Sequence, residues 1–459
     1  MILIKRFITP LFFLSLIASI SCSEDVTPTE EIQENEDIPI EFNLEIAFAK
    51  SLGGSNIDEG EAIIQANDGG FVILGATKST DGDITDKTID DTDVWIVKTD
   101  PQGSIQWSKT YGGSDNDFGT NIKKTNDGGY IISAVTRSSD GDISTNAGFN
   151  DMWVFKISSS GNIIWEKTYG YAGNDLAYNV ILTSDGGYLL LGVLDVSASN
   201  GEGNVGRINS NHAGGDYWVL KLDSSGEREW SRYYGGTFTD TAYDAIETPS
   251  GGFIITGSSD SEDVDINSNI GEYDFWILNI NESGDIIWRK NFGGSEIDLV
   301  YAMTKTIDGN YLLVGDTRSS DIDIEDPLGN ADVWAVKFSE SGSIIWTKTY
   351  GGTQFESARD VVSLSDGTIA IVSSSRSNDI NLTNNYGVND AWLLLIDNDG
   401  KMLSQKNIGG SNLDFGRGIT QTIDGNLIIT GNTESADGDL NSNKGNYDLL
   451  LVKVEKQTN

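Results

Sequence analysis

Residues 93–113 read DVWIVKTDPQGSIQWSKTYGG: two β-rich runs, 93–99 and 105–111, joined by a tight turn at Asp100-Pro101-Gln102-Gly103. The same arrangement starts again at Asp151, Asp216, Asp274, Asp332 and Asp390. Working outward from it, four markers keep one phase. An apolar residue precedes a glycine pair at Leu52, Tyr111, Tyr169, Tyr234, Phe292, Tyr350 and Ile408, with intervals of 59, 58, 65, 58, 58 and 58 residues; the third copy departs, with Gly170-Tyr171. A turn recurs at Asp68, Asp127, Asp185, Ser250, Asp308, Asp366 and Asp424. Asp-x-Trp places Trp95, Trp153, Trp218, Trp276, Trp334 and Trp392, then Leu450. Four residues before each glycine anchor stand Trp107, Trp165, Trp230, Trp288 and Trp346, with Phe48 at the start and Ser404 near the end. These two positions account for all 11 tryptophans. Four markers in register through seven copies define a repeat.

Each unit carries four short β-rich runs, as in 61–66, 71–78, 93–99 and 105–111, and no helical periodicity. Four antiparallel strands per unit make a propeller blade, and strands with six to seven apolar residues suit sheets buried on both faces. A solenoid would need shorter coils and a string of sandwiches more strands per unit. The seventh unit stops after its third strand, 448–455, while a spare fourth-strand sequence, 45–52, lies before the first. The expected fold is therefore all-β, a seven-bladed β-propeller in which an N-terminal strand closes the last blade and covers its open edge.

Charge and rare residues narrow the function. With 70 acidic against 30 basic side chains the formal charge is −40, and no basic stripe exists to displace counterions, so nucleic-acid binding is not expected. One cysteine, Cys22, rules out an internal disulfide, and one histidine, His212, must carry any His-based chemistry alone. Residues 1–21 read as a signal peptide, with Lys5-Arg6 before an apolar run too short for a retained membrane span. Residues 22–41 read as an acidic flexible tether and 42–459 as the propeller.

Several stretches resemble known families. Ser19-Ile20-Ser21-Cys22 resembles a bacterial lipobox, which implies lipid attachment at Cys22 and anchorage in the outer membrane, periplasmic or surface-exposed. Ser23-Glu24-Asp25 resembles the surface-export signal of lipoproteins of the Bacteroidetes. The turn and Trp of 98–107 and 221–230 resemble the tryptophan-docking repeat of pyrroloquinoline-quinone-type propellers, although the Asp-to-Gly spacing is one residue shorter here. Ser158, Asn281 and Ser339 also replace that Asp, and the blade count is seven where eight is usual. The array from 53 to 455 is similar to Trp-rich, Gly-Gly-Ser-type propeller repeats of secreted and lipid-anchored Bacteroidetes proteins, a class that brings no assigned chemistry.

The two loops that should emerge on one face are acidic. Between blades stand Asp58, Asp117, Asp175, Asp240, Asp298, Glu356 and Asp414; within blades stand the pairs Asp81/Asp83, Asp140/Asp142, Asp263/Asp265, Asp321/Asp323 and Asp437/Asp439, and Asp379 alone. Sevenfold recurrence points to a structural role for the first set and for the Asp before each Trp, as acceptors of backbone N–H groups. The pairs also offer hard oxygen ligands, so calcium is the one cofactor expected. Simple solvation of an extracellular surface is compatible with either role. The third unit's loop, 197–215, is seven residues longer, lacks the pair and holds Arg207, Asn209, Asn211 and His212; it reads either as a tolerated insertion or as a candidate partner site on the ligand-facing side. No nucleophile motif accompanies His212. The expected function is a non-enzymatic, lipid-anchored scaffold binding a protein or glycan on the acidic face. The alternatives are a lyase, hydrolase or quinone-dependent oxidoreductase at the channel mouth, or an accessory subunit of an envelope assembly or secretion complex. A non-repeating polar pair in a pocket would favour the enzyme, and only repeating polar residues are legible in the sequence.

Overall fold

A computed structural model of the chain describes residues 42–204, 212–266, 268–382 and 384–458, so the expected signal peptide, Cys22 and the tether lie outside the described residues. Seven four-stranded antiparallel sheets form seven blades, each running from an inner to an outer strand. In blade 1 these are Asp58–Gln65, Phe71–Thr77, Asp93–Thr99 and Ile105–Tyr111. The two middle strands, FVILGAT and DVWIVKT, are buried at every position because both faces of the sheet meet a neighbouring blade. Leu74 and Ile96 of blade 1 thus pack with Ile132, Trp153 and Phe155 of blade 2. The outer strand is only partly covered. All six Asp-x-Trp indoles are fully buried in these interblade cores.

The ring closes as the spare N-terminal strand requires. Phe42–Leu52 pairs with Asp448–Thr458, giving blade 7 its outer strand and leaving the two described chain ends side by side. Outer-strand aromatics then fasten six of the seven blades to the next. Trp107 lies over Gly161, Trp288 over Gly342, and Phe48 of blade 7 over Gly103 of blade 1. Each of these glycines has φ between 73° and 78°, and a Cβ there would press on the aromatic ring, so conformation and space both demand glycine. Tyr111 and Tyr234 reinforce the contact by donating to the carbonyls of Gly161 and Gly284 at 2.8 and 2.7 Å. Ser404 follows from the same geometry. Blade 6 faces the one blade whose outer turn is replaced by two chain ends, so no turn glycine awaits an indole there. A cavity of about 240 Å³ beside Ser404 takes its place.

One boundary differs from the sequence reading. The inner strand of blade 1 begins at Asp58, not Glu61, and Asp117, Asp240, Asp298, Glu356 and Asp414 also open their inner strands. The interblade carboxylates therefore belong to the sheet, not to open loops. Their loops fold back over them, and all seven, Asp175 included, are fully buried.

Candidate functional site

The loop face is a set of backbone clamps. In blade 1 three consecutive amides each meet a different carboxylate: Gly53 N–H donates to Asp83 (2.9 Å), Gly54 to Asp58 (2.7 Å) and Ser55 to Asp81 (2.7 Å). Asn56 N–H then donates to the Ser79 hydroxyl at 2.9 Å. The pattern repeats with Asp142, Asp117 and Asp140 in blade 2, and with Asp265, Asp240 and Asp263 in blade 4. Asp323, Asp298 and Asp321 serve blade 5, and Asp439, Asp414 and Asp437 blade 7. In blade 6 Asn381, Glu356 and Asp379 do the same. The residue between the paired acids is left-handed in every such blade. Gly82, Gly141 and Gly438 take this conformation freely, whereas Val264, Ile322 and Ile380 adopt φ of 58°, 60° and 56° under strain. Among the described residues no group of three or more His, Cys, Asp or Glu side chains is placed to hold a metal ion. The paired acids each accept a backbone amide.

Beneath the clamps lies a ring of facing acids. The Asp before each Trp (Asp93, Asp151, Asp216, Asp274, Asp332, Asp390, Asp448) turns a buried, unpartnered Oδ1 toward the next blade's inner-strand carboxylate. The first anchor glycine sits between them. A Cβ on Gly53 would lie 2.6 Å from Asp58 Oδ2 and 2.8 Å from Asp448 Oδ1, so only glycine fits. Burial, then the facing charge among lesser causes, pushes Asp240, Asp274 and Asp390 up to about 7.

The Oδ2 of that same Asp is held in two ways. In blades 2, 4, 5, 6 and 7 it accepts a backbone amide from four residues earlier, as from Ala147, Ile270, Leu328, Tyr386 and Lys444. Blades 1 and 3 use a buried basic side chain instead. Lys87 Nζ lies 2.7 Å from Asp93 and also pairs with Asp91, and His212 Nδ1 bonds Asp216. His212 is buried against Tyr233, with ring centroids 4.9 Å apart, and its Nε2 is 3.8 Å from Asp265. Burial opposes its protonation, but the Asp216 bond and the surrounding acids prevail and raise its pKa. His212 is thus buried and bonded within its own blade; Arg207, Asn209 and Asn211 lie outside the described residues.

The non-repeating polar residues lie in the central channel, where sequence reading did not find them. Every inner strand has a β-bulge, between Gly60 and Ala62 in blade 1 and at the equivalent point in the other six. A bulge leaves one residue unpaired and re-aims its side chain. The bulged residues, Glu61, Thr120, Tyr178, Tyr243, Tyr301, Arg359 and Arg417, all line a cavity of about 1020 Å³. Tyr178, Tyr243 and Tyr301, from successive blades, form an aromatic wall with ring centroids 4.9 and 5.3 Å apart. Arg359 lies 3.9 Å over the Tyr301 ring. Burial raises the pKa of all three phenols, keeping them neutral donors. Asp244 and Asp360 also face the cavity. Asp244 accepts Met303 N–H across the blade boundary at 2.8 Å and Asp360 accepts Ile419 N–H at 2.9 Å. Burial raises both, Asp360 to about 6, against the opposing charge of Lys123.

No family model matches the chain, and no curated protein matches it. Solved structures similar to it include a protein of unknown function from Bacteroides caccae (10% identity, TM-score 0.37, covering 68% of this chain and 94% of that one). Another of unknown function, from Dyadobacter fermentans, has 10% identity and TM-score 0.43, covering 90% and 99%. The WD40 domain of Neurospora crassa Pan2 has 10% identity and TM-score 0.44, covering 86% and 88%. At this distance none bears on function. The fold and the channel define the class: a seven-bladed β-propeller with an asymmetric central pocket.

Proposed function

We propose that the chain is a non-enzymatic binding propeller, lipid-anchored through Cys22 in a bacterial envelope, with its ligand in the central channel and its acidic loop face serving as a rigid, hydrated rim. One observation carries this reading. The side chains that repeat hold backbone, whereas those that break the repeat gather as aromatics and arginines around one cavity, the composition of a recognition site. The test is to challenge immobilised full chain with envelope extract and analyse what it retains by mass spectrometry, beside an Arg359→Ala/Arg417→Ala variant. Retention of a component unaltered in mass, and its release by the variant, supports the reading; equal retention by both sinks it.

A second reading is favoured by Asp244 and Asp360, two non-repeating buried acids in the channel, with Asp360 near neutrality. Such groups suit general acid–base work. A retained component recovered with altered mass, and recovered intact from Asp360→Asn, would establish an enzyme.

A further inference from the structure

Within the channel reading, the ligand class can be named. We infer that the cavity binds an acidic saccharide: a pyranose ring carrying a carboxylate. Two cations point to this class. In a chain with 70 acidic side chains, Arg359 and Arg417 form no salt bridge among the described residues, although both line the same cavity from adjacent blades at the same bulge position. Arg359 lies over Tyr301 at 3.9 Å and bonds its hydroxyl, with Asp316 in its field; Arg417 lies 5.9 Å from the Phe415 ring with Glu59 in its field, and its Nε is buried without a partner. A guanidinium over a ring that bonds a single hydroxyl still has N–H donors to offer a planar anion, and these two stand at the same position of neighbouring blades.

The rest of the cavity says what the carboxylate is attached to. Beside the arginines the wall of Tyr178, Tyr243 and Tyr301 is tilted, with interplanar angles of 56° and 54°, a concave apolar surface edged by hydroxyls. The C–H face of a sugar ring fits such a wall, while a bare inorganic anion would leave it unused. Opposite, Glu61 supplies acceptors that hydroxyl groups need and that an aromatic acid would leave desolvated and unpaired. About 1020 Å³ accommodates a short oligosaccharide.

The test is calorimetric titration of the full chain with trisaccharides of galacturonate and of glucuronate and with a sialylated trisaccharide. Each is run beside its methyl ester, which keeps the ring and removes the charge, and benzoate is added as an aromatic acid without hydroxyls. We expect one acid to bind at micromolar Kd, its ester at least tenfold more weakly, and benzoate not at all. Arg359→Ala should weaken the acid at least tenfold and leave the ester unchanged, with Arg359→Lys recovering part of the loss; unchanged melting of each variant shows that it folds. Equal binding of acid and ester, benzoate matching the saccharide, or no acid binding below millimolar overturns the inference. If the acids fail while the arginine-dependent retention of an envelope component persists, the saccharide class falls and the channel reading stands; if both fail, both fall.

Discussion

The loop face and the channel are built by the same seven repeats and do opposite things with them. On the loop face, Asp58, Asp117, Asp240, Asp298 and Asp414 perform one task in the same way, each accepting an amide of its glycine anchor. In the channel, the bulge position carries four residue types, Glu, Thr, three Tyr and two Arg, and so is not uniform around the ring. A recurring residue answers a constraint that recurs at every blade junction. A residue that differs at an equivalent position is free of that constraint and available for a ligand that is itself asymmetric.

The sharpest way to break this comparison is to remove a repeating carboxylate. Asp414 accepts from Gly410 N–H, Thr433 Oγ1 and Ser435 Oγ at 2.8, 2.5 and 2.8 Å. Asp414→Ala orphans buried donors costing about 1–3 kcal/mol each, so urea unfolding should show a loss of about 3–5 kcal/mol. A loss below about 1 kcal/mol would mean that the clamp does not hold the blade.

A smaller effect concerns the facing acids. Asp274 is pushed up to about 7 in the folded chain from 3.8, so the folded state holds more protons than the unfolded one between those values. Its stabilising contribution is complete below about pH 4 and is lost as pH rises through about 7. Asp274→Asn should therefore melt higher than the parent at pH 8, by about 1–2 kcal/mol, and show no gain at pH 4.5. A pH-independent difference would argue that burial and the facing Asp298 do not raise Asp274. Smaller again, Ile322→Gly should relieve a β-branched residue held at φ 60° and stabilise by about 0.5–1 kcal/mol in thermal melts; a destabilisation would mean that the side chain repays its strain through contacts. The least effect is expected from metal. Because the paired loop acids hold amides, EDTA or millimolar calcium should move Tm by less than about 1 °C, and a rise of many degrees would make those pairs ligands.

How much of this was legible in the sequence follows from the same division. Tryptophans, turns and glycine anchors repeat, so blade number and ring closure could be counted, and even Ser404 stood out before its missing docking partner explained it. The Asp pairs were visible, but their partners are backbone amides, which every residue carries, so calcium and clamp looked alike. The bulged residues were not visible, because no pattern in 58-residue units marks which position leaves the ladder. Tyr178 and Arg359 lie far apart in the chain and only the curvature of the ring brings them to one cavity. His212 stands out as the lone histidine and is buried against Asp216, as Lys87 is against Asp93 in a blade with no such signal.

One paired measurement tests the central claim most directly. Arg359→Ala/Arg417→Ala and Asp140→Ala/Asp142→Ala are compared for melting temperature and for retention of the acidic trisaccharide bound by the parent. We expect the channel pair to melt within about 2 °C of the parent and lose at least tenfold in affinity, and the clamp pair to melt several degrees lower with affinity unchanged. A channel pair that unfolds but binds, or a clamp pair that stays folded and loses its ligand, would contradict the division between residues that repeat to hold the ring and residues that differ to read a ligand.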